Sequence, residues 1–197
     1  ILDIEDEVWQ SGESGLLGME IHPYFNEGSP YIFLVYTYLS GGQKEKVVRY
    51  EYDFDNDQLI NDLVLLENIP ANPTHAGSRL LVLDDLTMLI TTGDVQEWMD
   101  SQNLNTLSGK TLRMSIEDGL AGDIPDDNPI AGSYVWSWGH RNAQGLAIGE
   151  NGIIYSSEHG PSNDDELNIL VAGGNYGWPN VQGYCDNQWV DYGYAED

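Results

Sequence analysis

This sequence predicts an all-β fold, and three observations carry the prediction. Tyr and Trp number 12 and 6 in 197 residues, and aromatic side chains favour strands over helices. Short apolar runs of strand length alternate with turn signals such as Asp53-Phe54-Asp55-Asn56-Asp57 and Asp126-Asp127-Asn128-Pro129. One hairpin pattern also recurs, starting at Gly15, Arg79 and Gly145, at offsets of 64 and 66 residues.

The elements follow in order. The first hairpin, 15–37, pairs Gly15-Leu16-Leu17-Gly18-Met19-Glu20-Ile21 with Tyr31-Ile32-Phe33-Leu34-Val35-Tyr36-Thr37. Lys46-Val47-Val48-Arg49-Tyr50-Glu51-Tyr52 then alternates with period 2, the mark of a half-buried strand. The second hairpin, 79–92, joins Arg79–Leu83 to Met88–Thr92. Between Thr92 and Leu107 lies the one stretch suited to a short helix, and Lys110-Thr111-Leu112-Arg113-Met114 reads as a further strand. The third hairpin, 145–157, joins Gly145-Leu146-Ala147-Ile148 to Ile153-Ile154-Tyr155-Ser156-Ser157.

A hairpin repeated at fixed spacing is how propeller blades appear in sequence. Propellers close with roughly 4–8 blades, and this period gives room for three. The expectation is a partial β-propeller, one domain fragment over 1–197, cut from a longer ring.

Charge narrows the partners. Lys and Arg total 7 against 33 Asp and Glu, a formal net charge of -26. Such a chain repels nucleic acid phosphate and anionic membrane surfaces and attracts cations. No run approaches the roughly 18 apolar residues of a membrane span, and no secretory leader opens the chain at Ile1-Leu2-Asp3. Cys185 has no second cysteine here to pair with, so it is a buried hydrophobe, a free thiol or half of a disulfide formed elsewhere.

Chemistry concentrates in Gly139-His140-Arg141-Asn142 and in Glu158-His159-Gly160-Pro161-Ser162-Asn163-Asp164-Asp165-Glu166. Arg offers a planar fork to a ligand carboxylate. Carboxylates and turn carbonyls together suit a hard cation such as calcium. Gly permits positive φ and Pro lacks an N–H, so Gly160-Pro161 can leave carbonyl oxygens pointing at one spot. The competing reading is a solvated acidic loop, favoured by the acidic bias of the whole chain. His75, in the Pro/Gly loop Asn72-Pro73-Thr74-His75-Ala76-Gly77, precedes a strand and on the residues alone has two readings, a structural or exposed loop histidine and a general base facing a ligand. His22, His140 and His159 read as structural, with His140 expected against Trp136 and Trp138.

The motifs resemble the soluble quinoprotein glucose and sorbosone dehydrogenases, a family that includes the aldose sugar dehydrogenases. Gly15-Leu16-Leu17-Gly18, Ile21-His22-Pro23, Ser108-Gly109-Lys110, Gly139-His140-Arg141-Asn142 and Gly173-Gly174-Asn175-Tyr176-Gly177-Trp178-Pro179 match in order along the chain. The resemblance implies a six-bladed propeller, of which about three blades are present, oxidising an aldose with pyrroloquinoline quinone (PQQ) and Ca2+. It implies that His75 takes the anomeric proton, that Arg141 and Asn142 contact the cofactor, and that Arg141 is catalytic in stabilising the negative charge that arrives with hydride. Gly160 and Pro161 match carbonyl ligands of the cofactor calcium, while Asp165, Glu166, Tyr176 and Asp186 fall where the family binds a structural calcium. Glu13 and Thr74 occupy substrate-contacting positions, where glucose-oxidising members carry Gln and Asp, so glucose itself is not implied.

The resemblance further implies a periplasmic or secreted protein with a sugar substrate and an electron acceptor of unknown kind, and leaves dimerisation open. The later blades would supply the remaining basic cofactor contacts, so these 197 residues alone are expected to be inactive. A calcium-binding propeller module for protein or carbohydrate interaction is the alternative. A base facing a guanidinium favours the enzyme.

Overall fold

The computed structural model describes residues 1–183; Cys185 and Asp186 lie outside them. Three antiparallel sheets follow one another along the chain. The first contains β1 (Leu16–Ile21), β2 (Tyr31–Leu39), β3 (Gln43–Asp53) and β4 (Gln58–Pro70), paired in sequence order. The second repeats this meander with β5 (Gly77–Val82), β6 (Thr87–Thr92), β7 (Lys110–Ser115) and β8 (Val135–Trp138). The third contains β9 (Ala143–Ile148), β10 (Ile154–Glu158) and β11 (Glu166–Leu170). The helical segment among the described residues is a 3-10 turn, Trp98–Gln102, and no described helix is long and apolar enough to cross a membrane.

Each predicted hairpin is the opening pair of one sheet: β1 with β2, β5 with β6, β9 with β10. β2 and β6 read as nearly unbroken apolar runs because both of their faces are covered. From β2, Phe33 and Val35 join Leu80, Met88, Ile90, Leu112 and Met114 in the core between the first and second sheets. Ile32, Leu34 and Tyr36 face the other way, where Leu2, Ile4 and Val8 of the N-terminal segment pack over them. Leu89, Trp136 and Leu170 join the second sheet to the third.

The first strands of the sheets lie together, β5 packing against both β1 and β9. That is the arrangement of innermost strands about a propeller axis. Arg79 on β5 ties them: its Nε donates to the Gln144 carbonyl of β9 at 2.6 Å, and its Nη1 to the Leu17 carbonyl of β1 at 2.9 Å.

Three strands were not legible in advance. β4 is the long outer strand, and its alternation is broken by register shifts opposite Val47, Val48 and Arg49 and by left-handed backbone at Asn61 and Asn68. β8 and β11 are only 4 and 5 residues long, too short to show a period.

Candidate active site

The loop from β4 to β5 presents His75 in a left-handed conformation, φ +56°. Its backbone N–H donates to Glu13 Oε2 at 2.9 Å, and the Glu13 N–H returns a bond to the Pro73 carbonyl at 2.7 Å. Two residues on, the Gly77 N–H donates to Asn142 Oδ1 at 3.1 Å. The turn is thus clamped from two distant segments.

His75 Nδ1 lies 2.7 Å from Asp94 Oδ1. A carboxylate only accepts, so Nδ1 carries the hydrogen and Nε2 is the free lone pair. Asp94 is fully buried and completely engaged. Its Oδ1 also accepts from the Gln96 N–H at 2.8 Å, its Oδ2 accepts from Trp178 Nε1 at 2.8 Å, and its own N–H donates to the Arg141 carbonyl at 2.8 Å. The acid is immobilised, and through it the imidazole.

Gly93 explains how the two loops approach so closely. A Cβ at this position would lie 1.6 Å from the His75 carbonyl oxygen. Thr74, beside His75, accepts from Gln96 Nε2 at 2.6 Å through its hydroxyl.

Arg141 sits across from His75. Its Nη1 donates to the His159 carbonyl at 3.1 Å, its Cζ stands 5.5 Å from the centre of the Trp178 ring, and its backbone N–H bonds Glu158 Oε1. Its Nε is buried without a hydrogen-bond partner among the described residues. His75, Gln96, Trp98, Arg141, Pro161 and Trp178 line one cavity of about 420 Å³.

His140 faces away from this cavity. Its fully buried ring bonds Ser137 Oγ at 2.9 Å and Glu158 Oε2 at 3.0 Å. It stacks on Tyr176 at 4.6 Å rather than on Trp136 or Trp138, because the chain reverses at Gly139, φ +77°. Ser108-Gly109-Lys110 supports the 3-10 turn that carries Trp98. The buried Lys110 ammonium donates to the carbonyls of Asp100 (2.7 Å), Ser101 (3.0 Å) and Ser108 (2.5 Å), and burial lowers its pKa to about 7.

The residues expected to bind calcium divide into separate places. Pro161 lines the cavity, and the N–H of the preceding Gly160 donates to Asp165 Oδ1 at 2.9 Å. Glu166 is turned elsewhere: its oxygens accept from the Gly183 N–H and from Asn168 Nδ2, each at 2.9 Å, and burial pushes its carboxyl up. The Tyr176 hydroxyl donates to the Ile169 carbonyl at 2.7 Å and accepts from the Val171 N–H at 2.9 Å. Among the described residues no group of three His, Cys, Asp or Glu side chains converges.

Sequence reasoning missed Asp94 and the part played by Trp178. The signal for Asp94 was faint, a Gly-Asp pair closing the buried run Met88–Thr92.

The Glucose / Sorbosone dehydrogenase family model matches residues 2–194. Quinoprotein glucose dehydrogenase B of Acinetobacter calcoaceticus is 36% identical over 213 residues, covering 93% of this chain and 43% of that protein. An aldose sugar dehydrogenase of Escherichia coli is 33% identical over 183 residues, covering 88% and 48% respectively. The PQQ-bound aldose sugar dehydrogenase of Streptomyces coelicolor superposes with a TM-score of 0.83 at 33% identity, covering 96% of this chain and 54% of that one. The chain spans about half the length of the curated relatives it matches. The fold, the ordered motifs and these matches agree: the chain belongs to the glucose and sorbosone dehydrogenase family of β-propeller sugar dehydrogenases.

Proposed function

We propose that the protein carrying this chain oxidises the anomeric carbon of an aldose with PQQ, His75 acting as the general base. One observation carries the reading: an imidazole with Nδ1 fixed on the buried Asp94 carboxylate lines the same cavity as Arg141. With Nδ1–H committed to Asp94, Nε2 takes the proton of the anomeric hydroxyl, and Asp94 stabilises the imidazolium that results.

The cavity fits an anionic planar cofactor. Arg141 brings a permanent charge, and its buried Nε lacks a protein partner among the described residues. Its guanidinium is braced by the His159 carbonyl and the Trp178 face. PQQ, a tricarboxylate quinone, supplies the two-electron sink that accepts the sugar's hydride, and a calcium at the Gly160 and Pro161 carbonyls would polarise it. Gly160 suits that task because a Cβ there would meet the Asn163 carbonyl oxygen at 1.9 Å, so only glycine lets the turn close. Asn142 holds the base loop through Gly77, which is its contribution alongside any cofactor contact.

Glu13 and Thr74 each bond the base loop or its neighbour, so they shape the sugar pocket from below. The substrate class is an aldose, without commitment to glucose. A periplasmic or secreted location is part of this proposal, supported by the family resemblance alone.

The test is reconstitution of the full-length protein with PQQ and calcium, followed by dye reduction across a panel of aldoses. Aldose-dependent turnover requiring both additions is expected, and chelation before loading should abolish it until calcium is restored. Turnover untouched by chelation would remove the calcium, and no PQQ-dependent turnover with any aldose would overturn the reading.

A further inference from the structure

Beneath the turn that carries His75, we propose that Glu45 acts as a positioning residue: a proton on its carboxyl locks the 75–78 turn, and losing that proton releases it. The inference rests on the reading of His75 as the base.

Glu45 lies on β3 opposite Thr37 and Ile69, and its side chain is wholly buried. Its Oε2 is 2.6 Å from Ser78 Oγ, and Ser78 Oγ is 3.1 Å from the Ala76 carbonyl oxygen. Its Oε1 is buried with no hydrogen-bond partner among the described residues. The turn above is strained, with φ of +56°, +66° and +65° at His75, Gly77 and Ser78. For His and Ser such a conformation persists only where the surroundings over-determine it.

Ser78 has one hydroxyl hydrogen and two oxygens to satisfy. If Glu45 is protonated, its O–H donates to Ser78 Oγ, and the Ser78 hydroxyl donates to the Ala76 carbonyl. Every oxygen contact then has its hydrogen. If Glu45 is ionised, both neighbours compete for the single Ser78 hydrogen, one contact becomes repulsive, and a charge is left buried.

Nothing nearby offsets that charge. β2 carries no charged residue. On β3, Lys46 pairs with Glu7 and Arg49 with Asp118, while Lys44 alternates to the opposite face. Asp62 and Glu67 of β4 are exposed, and Arg79 of β5 is committed to the Leu17 and Gln144 carbonyls. Burial, opposed by the Ser78 hydrogen bond alone, pushes the carboxyl up to about 8.

The sign follows. In the unfolded chain Glu45 ionises near the ordinary carboxylate value of about 4.3. Between there and about pH 8 the folded state holds a proton the unfolded state lacks, so stability falls as pH rises, then levels off.

Glu45→Gln replaces the acid with a permanent donor to Ser78 Oγ. In the full-length protein, the melting temperature of E45Q minus that of wild type should widen as pH rises from about 5 to 8 and stay constant above. With cofactor loaded, wild-type turnover should fall on an alkaline limb near pH 8, and E45Q should lack it. Ser78→Ala, which cuts the relay, should lower turnover several-fold already at pH 7. Parallel melting curves for E45Q and wild type, an unchanged alkaline limb, or an unimpaired S78A would each overturn the proposal. Because melting is read without substrate, its failure counts against Glu45 alone. Absence of aldose oxidation by wild type at every pH overturns the reading of His75, and the catalytic half of this inference with it.

Discussion

Replacing His75 by Asn is expected to lower turnover with aldoses by about 10²–10⁴-fold, the range of a lost general base. Asn is the informative choice because it tolerates the left-handed backbone found at this position, φ +56°. Its amide also retains a donor for Asp94, so the loop stays anchored while the base disappears. Melting temperature should therefore shift little, and the loss should appear in kcat. Near-normal turnover in H75N would take His75 out of the chemistry.

A loss of similar size is expected from Gly93→Ala, a substitution of one methyl group that touches no ligand. The new Cβ would lie 1.6 Å from the His75 carbonyl oxygen and 2.3 Å from its carbonyl carbon. Both are backbone atoms, so no side chain can swing aside. Either the 74–77 loop lifts, carrying His75 off Asp94, or β6 withdraws. Forcing atoms into a closed packing typically costs about 1–3 kcal/mol, and here the strain falls on the His75 backbone itself. Activity should drop far more than the melting temperature alone would explain. An active, stable G93A would mean that the loops do not meet as closely as described.

The hairpins could be read from sequence because β2 and β6 are nearly unbroken buried runs and the same strand-turn-strand pattern recurs at offsets of 64 and 66 residues, signals that survive without knowledge of partners. The outer strand β4 could not, since bulges opposite β3 destroy its period. His75 announced itself through its Pro/Gly loop. Asp94 did not, being one acid among 33 Asp and Glu, with nothing in its neighbours to mark it as buried. Its role depends on Trp178, 84 residues away, and no local pattern encodes that separation. In the acidic run 164–166, composition alone could not say which carboxyl serves which turn: Asp165 accepts from the Gly160 N–H and Glu166 from the Gly183 N–H.

Strands in each sheet pair with their immediate sequence neighbours, whereas the candidate site is assembled from the loops between and beyond them. The contacts that define it close large loops: 62 residues from Glu13 to His75, 65 from Gly77 to Asn142, 84 from Asp94 to Trp178. Loop closure costs entropy before the contact returns any gain, so local meanders form ahead of distant pairings. The cavity lined by His75 and Arg141 is therefore expected to close after the sheets have formed. A chain arrested with its sheets complete would hold His75, Asp94 and Arg141 without the cavity they surround.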